Sequence, residues 1–183
     1  LESRLGELPV VAENLGVITP GVVALMEQFG FPGMAVLQFA FDSDATNEFL
    51  PHNYRDELVA YTGTHDNDTV AGWWFNDKST QGADAVARAR DYARAYLDVR
   101  DENDIHWAFN RAVLASVARL AVLPMQDVLG LRSEGRVNTP GTVGAPNWGW
   151  RFQPEQLTHE AVERLRELTA VYGRVVASAL SAR

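Results

Sequence analysis

The stretch from Leu8 to Phe41, LPVVAENLGVITPGVVALMEQFGFPGMAVLQFAF, decides the fold. Leu8-Pro9-Val10-Val11-Ala12 is a short apolar run closed by Glu13, Asn14 and Gly16, and it reads as a strand. Thr19-Pro20 marks a helix start: the hydroxyl suits an orphan amide, and proline at the first helical position sacrifices no bond. Val22, Val23, Met26 and Phe29 then fall on one helical face, and Gly30 stands where a left-handed stop is needed. Val36-Leu37-Gln38-Phe39-Ala40-Phe41 is a second buried-type run. Strand, helix, strand predicts a parallel crossover unit.

The pattern continues outward. Leu58 to Gly63 reads as a third strand, ending in Thr64-His65-Asp66-Asn67-Asp68. Two helices are expected next. One lies around Ala83 to Asp98; the other runs from about Asp104 to Leu120, with Ile105, Ala108, Phe109, Ala112, Val113 and Val117 on one side. Ala121 to Met125 is a fourth strand, weakened by Pro124. Residues 136–151 form a loop rich in Gly, Pro, Asn and Trp. A last helix starts at Thr158, with Leu157 and Val162 as a hydrophobic staple. Its inner face is expected to bury Ala161, Val162, Leu165, Leu168, Tyr172, Val175, Val176 and Ala179. No repeat or linker divides residues 1–183. About four strands alternating with helices predict an α/β fold, the C-terminal half of a (β/α)8 TIM barrel and a fragment of a larger enzyme.

Composition removes several function classes. Apolar residues make up 46% and charged residues 22%, as in an ordinary globular domain. The 16 basic and 24 acidic residues give −8 with no basic stripe, so nucleic acid is not an expected partner. Without cysteine there is neither a disulfide framework nor a thiolate metal site, which is compatible with a cytoplasmic setting. No apolar run has the length of a membrane span, and Leu1-Glu2-Ser3-Arg4 carries no signal-peptide pattern.

In a barrel, chemistry gathers at the carboxyl ends of the strands. Glu13 follows one expected strand and His65-Asp66 another. A carboxyl beside apolar neighbours tends to keep its proton, whereas one in a polar setting stays ionised; glycoside chemistry asks for that pair. Each residue also has an ordinary explanation. Glu13 fits a helix cap or loop charge, Asp66 and Asp68 fit turns, and His65 fits a satisfied loop histidine. No second histidine has ligand spacing, so a metal site is not expected. Trp73, Trp74 and Phe75 suit core packing. Trp148, within Pro146-Asn147-Trp148-Gly149-Trp150, suits stacking on a sugar face, with Asn138, Asn147 and Gln126 as nearby polar groups that equally fit turns and caps.

Five stretches carry a resemblance, in order along the chain: residues 11–20 (VAENLGVITP), 31–41 (FPGMAVLQFAF), 61–69 (YTGTHDNDT), 124–130 (PMQDVLG), and 136–141 (RVNTPG) followed by Asn147-Trp148. They resemble the amylomaltase and disproportionating-enzyme family, glycoside hydrolase family 77 of the alpha-amylase superfamily. The resemblance implies a retaining 4-alpha-glucanotransferase acting on maltooligosaccharides or alpha-glucans, without metal or organic cofactor. It makes Glu13 the general acid/base and Asp66 the stabilising acid that holds and distorts the sugar. His65 would bind that sugar, with Phe39, Asn14, Asn138 and Trp148 lining the cleft. The family more usually has Asp at the position of Asn14. Its nucleophile is an Asp on the strand before Glu13, and no residue here matches that motif. Asp42 and Asp44 follow the wrong strand. The expectation is a chain inert by itself, which pairs with the missing N-terminal half of the barrel or self-associates. The runner-up readings are an alpha-amylase-like hydrolase and a non-catalytic glucan-binding piece.

Overall fold

A computed structural model describes residues 10–76 and 82–175. Its centre is a three-stranded parallel sheet in the order β1-β2-β3: Met34–Val36, Val59–Tyr61 and Leu120–Val122. The register pairs Ala35 with Ala60 and Ala60 with Ala121, so small residues meet at the middle of the sheet. Helices connect the second pair of strands: α2 (Val70–Phe75), α3 (Ala83–Leu97) and α4 (Ile105–Ala115). Helix α1 (Pro20–Phe29) precedes the sheet, α5 (Met125–Val128) follows β3, and α6 (His159–Val171) closes the described chain.

The core lies between the sheet and helices α2 to α4. Phe41 is its hub. Its ring meets Phe109 at 5.6 Å, Tyr92 at 5.9 Å, Tyr96 at 6.1 Å and Trp73 at 6.3 Å, three of these edge-on. Edge-to-face contacts of this kind add about 0.5–1.5 kcal/mol beyond burial. Trp74 is buried, and Trp73 and Phe75 pack against the same cluster, in keeping with their core reading.

Several expected elements shift. Val36 to Phe41 is not one strand: β1 spans Met34–Val36, and the chain then tightens into a 3₁₀ turn, Leu37–Phe39. Leu37, Ala40 and Phe41 are buried in the turn as they would be in a strand, so an apolar run alone does not separate the two. The fourth expected strand, Ala121 to Met125, begins at Leu120 and ends at Val122. Pro124 then N-caps α5, its carbonyl accepting from the Asp127 amide at 2.9 Å. Val10 to Ala12 is not a strand; Val10 and Val11 are exposed, and the Ala12 amide donates to the Pro32 carbonyl at 2.8 Å. Leu8 and Pro9 lie outside the described residues. Among the described residues there are three strands, not four.

The helices fare better. Gly30 takes φ 63° at the end of α1, where a side chain would be strained. Thr19 occupies the N-cap of α1 without a side-chain bond, and Val22, Val23 and Phe29 stay exposed instead of forming a buried face. Helix α4 stops at Ala115, short of Leu120, because the Ser116 hydroxyl donates to Val113 O at 2.7 Å and competes with the helical ladder. Arg174 then donates to the carbonyls of Leu114, Ser116 and Ala118 at 2.9, 2.7 and 2.7 Å. Helix α2 was not expected, although Thr69 signals it by accepting from the Gly72 amide at 2.9 Å. Thr158 does cap α6, accepting from the Ala161 amide at 3.2 Å. That helix has no fully buried residue; Ala161, Leu165, Leu168, Tyr172 and Val175 of the expected inner face are half-buried, while Leu157 and Val162 are exposed, so the staple is not formed. Val176 and Ala179 lie outside the described residues. Instead α6 docks through Arg164, whose guanidinium grips Asp104 at 2.9 and 3.1 Å and stacks over Trp107.

Candidate active site

Parallel strands point their carboxyl ends one way, and three loops leave that rim. The loop after β2, residues 62–69, carries His65 and Asp66. The chain after β3 carries Gln126 and Asp127 and, further on, Arg136, Asn138 and Trp148. Phe39 follows β1 directly.

The second and third loops are laced together. The Asn138 side-chain amide donates to Asp66 Oδ1 at 2.6 Å, and the Asn138 backbone amide donates to His65 O at 3.0 Å. Arg136 spans both loops, donating to Asp66 O at 2.7 Å and to Asn138 O at 2.8 Å. His65 Nε2 lies 3.4 Å from Asp66 Oδ1. The His65 ring meets Trp148 with centroids 5.0 Å apart. Trp148 is 57% exposed and adopts φ 59°, and its amide donates to Val137 O at 2.7 Å. Thus His65, Asp66, Asn138 and Trp148 converge from two strand ends, with their polar atoms and one indole face open to solvent. Beneath them is a cleft of about 140 Å³, lined in part by Gly63, Asn67, Asp68, Gln126 and Arg136.

The remaining expected site residues lie outside that cluster. Phe39 is partly exposed and stacks edge-on against Phe49 at 5.8 Å. Asn14 is drawn to the other end of the sheet. Its Oδ1 accepts from the amide of Met34, the first residue of β1, at 2.6 Å. There it borders a separate hollow of about 400 Å³ with Gly33, Glu27 and Arg55. Glu13 is exposed, so the apolar surroundings expected for it are not present, and no hydrogen bond or ion pair joins it to another described residue. Among the described residues, no group of three His, Asp or Glu side chains is placed to hold a metal ion.

Three further residues shape the site. Asp127 is almost wholly buried; its Oδ2 accepts from the Thr62 hydroxyl at 2.5 Å and its Oδ1 from the Val70 amide at 2.8 Å. Burial pushes its pKa up to about 6, opposed by those two hydrogen bonds and reinforced by nearby Asp68. Gln38 donates to Asp68 O at 2.9 Å and lies so close to Gly63 that a Cβ there would stand 2.6 Å from it. Arg136 is the bridge described above. Gln38 was the most visible in the sequence, as a lone polar side chain within an apolar run. Asp127 was hidden, because an acid in a first helical turn has an ordinary explanation.

Comparison with known proteins identifies the family. A family model described as 4-alpha-glucanotransferase matches residues 1–158. A 4-alpha-glucanotransferase of Synechocystis is 50% identical over 176 residues, covering 95% of this chain and 33% of that protein. One from Thermus thermophilus is 47% identical over 177 residues, covering 96% and 35%. Among solved structures, an amylomaltase from Streptococcus agalactiae in complex with acarbose aligns with TM-score 0.82 at 36% identity. That alignment covers 94% of this chain and 33% of the other. An amylomaltase from Corynebacterium glutamicum shares the fold, with TM-score 0.66 at 20% identity. The chain spans about a third of the length of the curated relatives it matches.

Proposed function

This chain belongs to the 4-alpha-glucanotransferase family, glycoside hydrolase family 77, and from that premise we propose that it supplies part of the active site of a retaining glucan-transfer enzyme. The observation that carries the reading is the convergence of His65, Asp66, Asn138 and Trp148 from two neighbouring strand ends. On this reading the sheet is part of a (β/α)8 barrel and residues 1–183 act as one unit of its catalytic domain. The protein works in the cytoplasm on maltooligosaccharides or longer alpha-glucans.

The chemistry follows from two carboxyl groups and a third acid. A carboxylate outside the motifs of this chain attacks C1 of the sugar. Glu13 gives its proton to the departing glycosidic oxygen as that bond breaks, leaving a covalent glycosyl-enzyme. An acceptor glucan then enters; Glu13 takes its hydroxyl proton, and the new C–O bond releases the nucleophile with configuration retained. Asp66, held by Asn138, accepts from hydroxyls of the distorted ring, an interaction worth most in the transition state. His65 contacts the same sugar, and Trp148 and Phe39 offer apolar faces to neighbouring ones. Asn14, whose oxygen accepts from the Met34 amide at the other end of the sheet, takes no part in these steps. No metal or organic cofactor enters these steps.

By itself the chain is proposed to bind glucan without turning it over, because the attacking carboxylate is not among its motifs. Its outer strands also favour self-association. Leu120 and Val122 are exposed on edge strand β3, where unpaired backbone groups invite another chain.

The test is disproportionation of maltotriose by the full-length enzyme that carries this segment, read by thin-layer chromatography. A ladder that includes longer glucans, lost in Glu13→Gln and in Asp66→Asn, supports transfer. Shorter sugars alone would mean hydrolysis. An undiminished ladder in either variant would remove that residue from its role.

A further inference from the structure

The loop that carries His65 and Asp66 leaves β2 at Thr62 and enters α2 at Val70. One buried carboxylate touches both ends of it. Asp127 accepts from the Thr62 hydroxyl with one oxygen and from the Val70 amide with the other, at 2.5 and 2.8 Å. Its own carbonyl accepts from the Asn110 side chain at 2.9 Å, tying it to α4, and Asn110 is fully buried. Burying a charge is costly unless it is hydrogen-bonded, and this one takes both bonds from the neck of a single loop. The two bonded oxygens therefore fix the distance between residues 62 and 70. With its ends fixed, the loop is braced further by the Gln38 side chain on Asp68 O and by Arg136 on Asp66 O.

We propose that Asp127 is the positioning residue for the Asp66 loop, clamping its neck so that Asp66 and His65 meet the sugar in one fixed pose. This rests on the glucan-transfer reading of Asp66. Asp127 touches no substrate; it acts through the backbone it closes. Catalytic groups must be held within about half an ångström of productive geometry, and loops need supporting shells to achieve that.

In the full-length enzyme, Asp127→Ala is expected to lower kcat for maltotriose disproportionation about 100-fold while KM moves less than about threefold, because Asp66 acts chiefly on the transition state. Asp127→Asn, whose Oδ1 still accepts from Val70 and whose amide can donate to the Thr62 oxygen, is expected to recover most of that loss. Thr62→Val removes one of the two neck bonds and is expected to cost about tenfold in kcat. Hydrogen exchange gives a readout independent of activity: the amides of residues 64–70 should exchange faster in Asp127→Ala while those of α4 keep their protection. If Asp127→Ala fails to fold, Thr62→Val and the Val70 exchange rate decide. Unchanged kcat with unchanged loop exchange would overturn the proposal. So would a fall in kcat matched by equal loss of protection across α4, which means general destabilisation. Asp66→Asn is measured alongside. Full activity in that variant would sink the role of Asp66 while loop exchange still judged Asp127. An inactive Asp66→Asn beside a fully active, fully protected Asp127→Ala would sink the Asp127 proposal alone.

Discussion

The Asn138 side-chain amide donates to the Asp66 carboxylate across 2.6 Å, joining two loops that are 72 residues apart in sequence. The bond is solvent-exposed, so it contributes little to folding, about 0.5–1 kcal/mol. Its effect is on aim. On the proposed glucan-transfer reading, Asn138→Ala in the full-length enzyme is expected to leave the melting temperature nearly unchanged but to weaken maltooligosaccharide binding about tenfold, by roughly 1.4 kcal/mol, in isothermal titration calorimetry. Asn138→Asp should be worse than Ala, because two carboxylates would then face each other.

Trp148 occupies a left-handed backbone conformation, φ 59°, which costs a side-chain-bearing residue about 1 kcal/mol. Trp148→Gly and Trp148→Ala both remove the ring that stacks on His65, so both should weaken maltooligosaccharide binding to a similar degree. Gly should nevertheless be the more stable of the two by about 1 kcal/mol in urea unfolding. Equal stability would mean that the conformation is imposed without strain.

Asp127, buried, and His106, half-buried, make opposite contributions to the pH dependence of stability. Asp127 has its pKa raised by burial to about 6, so between about pH 4 and 6 the folded state keeps a proton that the unfolded chain has released. Its contribution to stability therefore falls as pH rises through that window. His106 has its pKa lowered to about 4, mainly by burial, so it stays neutral in the fold where the unfolded chain takes up a proton. Its contribution is fully present above about pH 6.5 and is lost as pH falls toward 4. Each amounts to roughly 3 kcal/mol at full extent, with opposite slopes. Relative to the parent chain, Asp127→Asn should gain stability and His106→Gln should lose it as pH rises from about 4.5 to 6, read by thermal unfolding at several pH values.

Arg174 bonds three carbonyls at the end of α4, the terminus where helix dipoles favour a cation. Hydrogen bonds to a charged group are worth about 1.5–3 kcal/mol, so Arg174→Met should lower stability by about 2–3 kcal/mol in urea. Arg174→Lys should recover only part, because an ammonium lacks the planar fork that reaches all three oxygens.

The exposed edge of β3 predicts association of the isolated chain. Leu120→Lys places a charge on that edge and should reduce the apparent mass in light scattering at high concentration. A parent chain that is already monomeric under those conditions would count against the edge as the contact.

The class of the fold was legible because helices announce themselves at both ends. Gly30 and Thr158 stood where the caps lie, and the helix expected around Ala83 to Asp98 is α3, Ala83–Leu97. Strand limits were not legible. Leu37 and Phe41 are as apolar in a turn as in a strand, and burial in the aromatic cluster, not pleating, is what they serve. At the site, His65, Asp66, Asn138 and Trp148 were legible from the family's motifs, and the structure brings them together. Glu13 and Asn14 stand apart from that cluster; Asn14 gives its oxygen to the Met34 amide, a backbone demand that no side-chain pattern reveals. Asp127 could not be found from spacing, because its partners Thr62 and Val70 are 65 and 57 residues away.

Those separations bear on the order of folding. Helices α2, α3 and α4 can form from local contacts, but the bridge from residue 127 to residues 62 and 70 closes a long loop of chain, and its entropic cost must be met first. The rim that carries His65 and Asp66 is therefore expected to be shaped late, after β3 has docked beside β2. A nascent chain that has made its helices still lacks the bridge that sets the pose of the Asp66 loop.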